Sequence, residues 1–496
     1  MSMLFNDPIF LFIFLPIVVI LFHWIRRDVG GSASMVLIVA ASIFFYGWWN
    51  PPYLLLLLGS VLFNYAVTHQ LLKSPSRLLL IVGVLANIAV LGYFKYRNFF
   101  MENIGLLLGE SWQFEEIFIP LAISFFTFQQ VALLVDAQDG QIKRVKFLDF
   151  ATFVILFPQL IAGPIVLYRE MDKQFQSLRK GTGAGLSLFG LGVVTFIVGL
   201  FKKVALADGI APFADSVFRV ADQLTMLEAW GGVIAYTLQL YFDFSGYSDM
   251  AVGLGMMFGF LLPINFNLPY RATSMIDFWK RWHMTMTRFF MMYLYSPIAL
   301  SVMRESILNS WSKQKQFLLG IVIPIVITFL ASGLWHGAAW TFVAFGAVNA
   351  LGLIVNHIWK EWRLPKPHMF IGWLLTMLTV MISFVYFRAD NITNANLIII
   401  TMIDPASFIF PNWLSYYADY IGIPWHTLTV FSSGTYTVRM IGWIITLVLF
   451  SLLLKNRPLH LSEIQPTTGL AISSSVFLWV AVGWLDEPST FIYFQF

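Results

Sequence analysis

The sequence predicts an all-α polytopic membrane protein, and three observations carry that prediction. Hydrophobic residues make up 58% of the 496, and charged residues only 11%, where a soluble domain carries roughly 25% charge. The apolar residues come in runs of about 20, the length that crosses a bilayer as a helix. The alternating pattern of roughly ten residues that marks an outer-membrane barrel is absent.

Spans are expected at residues 8–25, 34–49, 53–71, 78–95 and 117–135. The stretch before it, Met1 to Pro8, lacks a basic n-region, and the run has no small-residue cleavage site, so it reads as a retained span and not as a signal peptide. Arg26-Arg27, Lys73 with Arg77, and Lys143-Arg144-Lys146 alternate with connections poorer in Lys and Arg, which places the amino terminus outside the cytoplasm. Lys95 and Arg97 break the alternation and would snorkel from a span end. Phe157-Pro-Gln-Leu-Ile-Ala-Gly-Pro164 carries two prolines and a glycine in an apolar run. It reads either as a re-entrant segment enclosed by protein or as a proline kink. Tyr168 to Lys180 is charged and belongs at the cytoplasmic surface.

Further spans are expected at 184–201, 228–260, 316–332, 338–357, 370–387, 436–454 and 468–484, giving about 11–13 hydrophobic segments. The run 228–260 is too long for one span and is polar midway, which predicts two segments or a tilted helix with a break. Residues 404–435 form the longest loop, rich in aromatic residues and proline, and expected outside the cytoplasm. There is no internal repeat or detachable soluble part, so residues 1–496 read as a single membrane domain. No cysteine is present, which excludes disulfides, thiolate metal sites and a Cys nucleophile. The net charge of +4 reflects basic cytoplasmic loops and not nucleic-acid binding. No metal site is expected.

Four polar stretches interrupt this apolar background. In Thr328-Phe-Leu-Ala-Ser-Gly-Leu-Trp-His-Gly-Ala-Ala-Trp340 a single imidazole, His336, lies beside Trp335 among small residues that let backbones approach closely. An ionisable group at membrane depth marks a functional site by default; the plainer reading is a hydrogen bond to a neighbouring helix. Tyr241 to Asp249 places Asp243 and Asp249 in apolar surroundings, where they line an internal chamber or hold helices together. Asp277 to Arg288 pairs Asp277 with Arg281 at i,i+4 on a short interfacial helix. There Lys280, Arg281 and Arg288 suit a phosphate-rich ligand or lipid headgroups equally. Arg388 and Asp390 close a span in Phe384-Val-Tyr-Phe-Arg-Ala-Asp390, a weak signal. His23, His69, His357, His368, His426 and His460 read as ordinary boundary residues.

Several segments, in order along the whole chain, carry a resemblance. They are Ser42-Ile-Phe-Phe-Tyr-Gly-Trp-Trp49, Leu91-Gly-Tyr-Phe-Lys-Tyr96, Pro158 to Pro164, Gln239 to Gly253, Asp277 to His283, Gly333-Leu-Trp-His-Gly337, Tyr386-Phe-Arg-Ala389 and Phe491 to Phe496. Together they resemble the membrane-bound O-acyltransferase family, most of all its bacterial polysaccharide branch of the alginate O-acetyltransferase type. The resemblance implies a bundle with re-entrant or broken helices around a central funnel, and His283 and His336 as the active-site pair. Trp279, Lys280, Arg281, Trp282, Asp243, Asp249 and Trp335 are the expected substrate contacts. The implied donor is a cytoplasmic thioester, acetyl-coenzyme A, with no permanently bound cofactor. The implied acceptor is a hydroxyl of an exopolysaccharide, reached directly or through a periplasmic SGNH/esterase-like acetyltransferase working with the polymer-synthesis machinery. The implied place is the bacterial inner membrane, with no nucleic-acid partner. One departure counts against alginate itself. After the Trp-His element such relatives carry Asp-Tyr-Leu-Tyr and a Gly-Gly-Asn-Arg loop, whereas here the run is Met292-Tyr-Leu-Tyr-Ser-Pro-Ile-Ala-Leu300.

On the residues alone, His336 suits a general base, since burial keeps an imidazole neutral. The thioester oxygen needs donors, for which His283 or a main-chain amide near Gly337 is expected. Two rival classes remain at this point. One is a proton or solute transporter with Asp243, Asp249 and His336 as a relay, against which the missing inverted repeat counts. The other is a non-enzymatic polymer-export subunit, for which the histidines would be dispensable.

Overall fold

The structure, a computed structural model, describes residues 3–485 and 491–492 apart from 111, 113, 116, 162, 182–185, 423, 427–428, 432 and 454–466. Ala162, His460 and residues 493–496, all singled out above, lie outside the described residues. Contacts cluster into two compact units: residues 1–204, 245–264 and 458–495, and residues 205–244, 265–457 and 496.

In the first unit a π-turn, Phe10–Phe14, leads into α1 (Leu15–Asp28), followed by α2 (Gly31–Trp49) and α3 (Pro51–Lys73). Pro51 suits the first turn of α3, where no N–H is needed. The Ser76 side chain accepts from Leu79 N to start α4 (Arg77–Leu91), which continues through a π-turn into α5 (Arg97–Leu108). The span expected from residue 117 starts later, as α6 (Ile123–Gln138), because Pro120 and the left-handed Ala122 (φ 62°) precede it. The proline-rich run is broken as expected. α7 (Phe147–Ile155) ends at an extended Leu156, and the four-residue α8 (Phe157–Leu160) follows. Every residue from Ala151 to Ile161 is buried, so protein encloses the break, as lipid could not. α9 (Tyr168–Arg179) buries Tyr168, Met171, Phe175 and Leu178 on one face, and Arg179 grips both oxygens of Asp149 at 2.5 and 2.6 Å.

This unit is held by an aromatic cluster and a polar ladder. Phe5, Phe10, Phe45 and Phe157 meet with ring centroids 5.1 to 6.2 Å apart. Ser60 and Asn64 both donate to Gln130 at 2.7 Å, and Asn87 donates to Asn64 at 2.7 Å, joining α3, α4 and α6 where only internal partners can satisfy an amide. α10 (Leu186–Phe201) leads through a π-turn (Lys202–Ala207) to α11 (Asp208–Arg219). α12 (Met226–Met257) is one unbroken helix of 32 residues. That corrects the expectation of two segments or a break. The run has no proline, and its glycines serve close packing instead: a Cβ on Gly246 would fall 2.7 Å from the Gly199 carbonyl oxygen, and one on Gly253 2.6 Å from that of Gly192.

The second unit contains the short helices α13 (Met275–Trp279) and α14 (Met284–Phe290), then α15 (Ser296–Leu308) and α16 (Lys313–Phe317). A π-turn joins α16 to α17 (Ile323–His336), and α18 (Trp340–Glu361), α19 (Met369–Arg388) and α20 (Ile392–Ile403) follow. The long loop carries a two-residue parallel pair, Phe410–Pro411 with Trp425–His426, and α21 (Ser415–Ile421). It is tied back at its far end. The fully buried Glu228 accepts from Val430 N at 2.6 Å and Phe431 N at 3.1 Å, and Trp230 Nε1 donates to Met402 O at 2.8 Å. α22 (Gly434–Leu453) completes this unit, and α23 (Thr468–Gly483) belongs to the first. Nine described helical stretches are long and apolar enough to cross a membrane, and two shorter apolar helices bring the described segments to eleven, within the expected range.

Candidate active site

His336 is the last residue of α17, and small residues explain its setting. A Cβ on Gly333 would lie 2.2 Å from the carbonyl oxygen of Phe342, one on Gly337 2.0 Å from the Phe342 ring, and one on Gly346 2.4 Å from the carbonyl oxygen of Phe329. Glycine at all three lets α17 and α18 touch backbone to backbone. The His336 ring is thereby enclosed by Trp335, Phe345 and Phe387, with centroids 4.9, 5.5 and 5.1 Å away.

His283 is reached by a different route. The stretch from Asp277 to Arg288 is not one short helix. α13 ends at Trp279, and His283 adopts a left-handed backbone (φ 42°, ψ 51°) before α14. This corrects the expected continuous helix; the i,i+4 pair within it does form, with Arg281 Nε 2.9 Å from Asp277 Oδ1. A non-glycine residue held in that region carries about 1–3 kcal/mol of strain, which is tolerated where surrounding contacts over-determine it. Those contacts come from residues 265–267. Met284 N donates to Asn265 O and Asn267 N to Arg281 O, both at 2.9 Å. Asn265 Oδ1 accepts from Thr285 N at 3.2 Å and Thr285 Oγ1 at 2.9 Å, and His283 Nδ1 stands 3.1 Å from the same atom. A backbone N–H can only donate, so that atom is the amide oxygen. His283 Nδ1 must then carry the proton, and Nε2 carries the ring lone pair. His283 is fully buried, and burial lowers its pKa to about 3, so the imidazole is neutral.

The two imidazoles are brought to one indole. Trp335 lies 6.0 Å from the His283 ring and 4.9 Å from the His336 ring, centroid to centroid. Phe244 covers the other side of His283 at 4.7 Å. Trp282 packs in an aromatic cluster with Phe278, Phe266 and Phe384 at 5.1 to 5.6 Å. Asp243 is buried in the same unit, whereas Asp249 belongs to the other unit and pairs with Lys202 at 2.8 Å.

A cavity of about 240 Å³ runs along the same helices, lined by Trp279, Lys280, Met286, Thr328, Ser332 and His357 among others. On α17 its wall is Ile325, Thr328, Phe329 and Ser332, one helical face whose next turn is His336. From Ile325 to His336 is about 16 Å along the axis. Two of its polar groups stand out. The Trp279 indole N–H and the Thr328 hydroxyl are buried and make no hydrogen bond among the described residues.

Two buried imidazoles against one indole beside a cavity leave more than one chemistry open, and comparison with known proteins decides the class. The profile of the membrane-bound O-acyltransferase family matches residues 77–399. The chain belongs to the membrane-bound O-acyltransferase family. It is 35% identical to a peptidoglycan O-acetyltransferase of Helicobacter pylori over the whole of this chain and 98% of that one. It is 39% identical to a probable alginate O-acetylase of Azotobacter vinelandii over 63% of this chain and 60% of that one. A teichoic acid D-alanyltransferase of Streptococcus thermophilus is 26% identical over 54% of this chain and 68% of its own length. The protein is therefore a multi-pass membrane O-acyltransferase.

Within this acyltransferase the residues missed by sequence reasoning are Asn265, Thr285 and Thr328. Asn265 lies 18 positions before His283, in irregular chain with no periodicity to place it.

Proposed function

We propose that this acyltransferase moves acetyl from a cytoplasmic thioester, acetyl-coenzyme A in the simplest case, to hydroxyls of a cell-envelope polysaccharide outside the bacterial inner membrane. The acceptor is met directly or through a periplasmic acetyltransferase partner. The observation that carries the reading is the shared indole: Trp335 touches both imidazoles at the head of the α17 stripe that walls the cavity. The relatives named for acetylation of peptidoglycan and alginate support acetyl as the group moved and a glycan as acceptor.

In this reading the thioester's carrier arm lies in the cavity, its sulfur toward Ser332 and His336. His336 takes the proton of the incoming hydroxyl, the oxygen attacks the thioester carbon, and the carbon–sulfur bond breaks as the imidazolium returns the proton to sulfur. General-base help of this kind contributes roughly 10²–10⁴-fold. The developing oxyanion needs N–H donors. The neutral His283 has its one N–H directed at Asn265, which favours amides that follow Gly337 at the start of α18, a 22-residue helix whose amino-terminal dipole suits negative charge. His283 Nε2 serves as an acceptor that orients the hydroxyl.

The test is His336→Ala in the purified full chain, reading acetyl release from acetyl-coenzyme A and polymer acetylation in cells. Loss of about a hundredfold or more, with normal membrane level, is expected. Undiminished acetyl transfer by a folded variant overturns the role.

A further inference from the structure

Outside the region matched by the family profile, which ends at residue 399, the described residues between Asp404 and Ser433 form a small cap that turns three tyrosines outward. On α21, Tyr416, Tyr417 and Tyr420 are 80, 65 and 89% exposed, and the first two stand with ring centroids 5.4 Å apart. Their spacing of i, i+1 and i+4 puts them on adjoining strips of one helix. The cap is built and not merely loose. Trp425 Nε1 donates to Asp419 Oδ1 at 2.8 Å beneath the tyrosines, the short parallel pair closes the loop, and Glu228 grips its end.

The charge pattern is unusual for a chain with 30 basic residues. Between Arg388 and Arg439 there is no lysine or arginine, while Asp390, Asp404 and Asp419 are acidic. Such a segment is extracytoplasmic by the positive-inside rule. It offers no lysine or arginine to an anionic polymer or headgroup.

We propose that Tyr416, Tyr417 and Tyr420 form a stepped platform, the first two rings edge to face at 85°, against which an uncharged glycan, a glucan or N-acetylhexosamine polymer, packs its sugar rings before acetylation. The proposal rests on the acetyltransferase reading above and names its acceptor class. A pyranose presents C–H bonds on its faces and hydroxyls around its rim. A phenol offers a flat apolar face for the first and a rotatable O–H for the second, on a side chain with few torsions to immobilise. The three rings protrude instead of lining a recess, which suits a ribbon-like polymer better than a protein hot spot seated in a pocket. Placement beyond the family-wide region fits a feature that separates acceptors, since acyl transfer itself is common to the family.

The test uses the full chain in detergent and saturation-transfer NMR with two neutral probes, cellotetraose and N-acetylglucosamine tetramer, and one anionic probe, a mannuronate tetramer. Transfer from the protein to the neutral probes and little to the anionic one is expected. The triple substitution Tyr416→Ala, Tyr417→Ala, Tyr420→Ala should weaken neutral-probe binding about tenfold or more, while the triple Tyr→Phe variant keeps most of it. Acetyl release from acetyl-coenzyme A by the triple Ala variant should match the native protein, so a failed platform is distinguishable from a failed transferase assignment. Four results overturn the proposal: no binding of neutral probes, equal binding of the mannuronate probe, unchanged binding in the triple Ala variant, or a fall in membrane level showing that the rings anchor the bilayer interface.

Discussion

Asn265 Oδ1 accepts from two donors on Thr285 and from His283 Nδ1 at 3.1 Å, so one amide oxygen selects which nitrogen of the imidazole bears its proton. Replacing Asn265 with Ala removes that selection and leaves Thr285 N buried without this acceptor. We expect kcat for acetyl release to fall about tenfold or more while KM changes little. Asn265→Asp keeps an acceptor and should recover part of the rate, with a pH profile displaced upward because a carboxylate favours the protonated imidazole. Equal rates for Asn265→Ala and the native chain would separate this contact from catalysis.

Burial lowers the His283 pKa from 6.5 to about 3. Between those values the unfolded chain binds a proton that the native chain does not. The contribution of His283 to stability is thus fully present above pH about 6.5 and is lost as pH falls toward about 3. The melting temperature in detergent should therefore drop less in His283→Gln than in the native protein on going from about pH 7 to about pH 4. Parallel drops would show that the imidazole is solvated.

Gly333 and Gly337 have no room for a methyl group. A Cβ would meet a carbonyl oxygen at 2.2 Å in one case and an aromatic ring at 2.0 Å in the other. Gly333→Ala should destabilise by about 1–3 kcal/mol, because backbone must move. Gly337→Ala displaces a ring that packs at the site, and its activity should fall even where its melting temperature recovers with lipid. Thermal unfolding and acetyl release measured side by side check both, and a neutral Gly333→Ala would mean that α17 and α18 are farther apart.

Thr328→Val keeps the side chain's shape and Trp279→Phe keeps an aromatic ring, and each deletes one of the two buried polar groups of the cavity that make no hydrogen bond among the described residues. If a carrier arm with amides lies there, each substitution should raise KM for acetyl-coenzyme A about three- to tenfold, with kcat nearly constant. A thioester without amides, such as S-ethyl thioacetate, should be unaffected. A KM rise shared by both donors would point to altered cavity shape and not to lost hydrogen bonds.

The membrane class and the helical character of the long apolar runs were legible because lipid forces such runs to be helical. The placing of His336 on an apolar helix was legible for the same reason. Other features depended on information that periodicity does not carry. The left-handed turn at His283 follows from Asn265 and the 265–267 segment, not from the local run of Trp, Lys and Arg that looked helical. The continuity of α12 depended on Gly246 and Gly253 packing against Gly199 and Gly192, so glycines that read as a weak point are contact points. The cavity draws its walls from α13, α14, α17 and α18 and has no signature in any one of them.

The unbroken α12 has a mechanical consequence. Thirty-two residues make a rod about 48 Å long, against a hydrocarbon slab about 30 Å thick. The rod is a single α-helix throughout. Its polar starting turn, with Glu228 and Trp230, is the end that holds residues 402, 430 and 431. Whatever moves α12 therefore moves the anchor points of the aromatic loop with it.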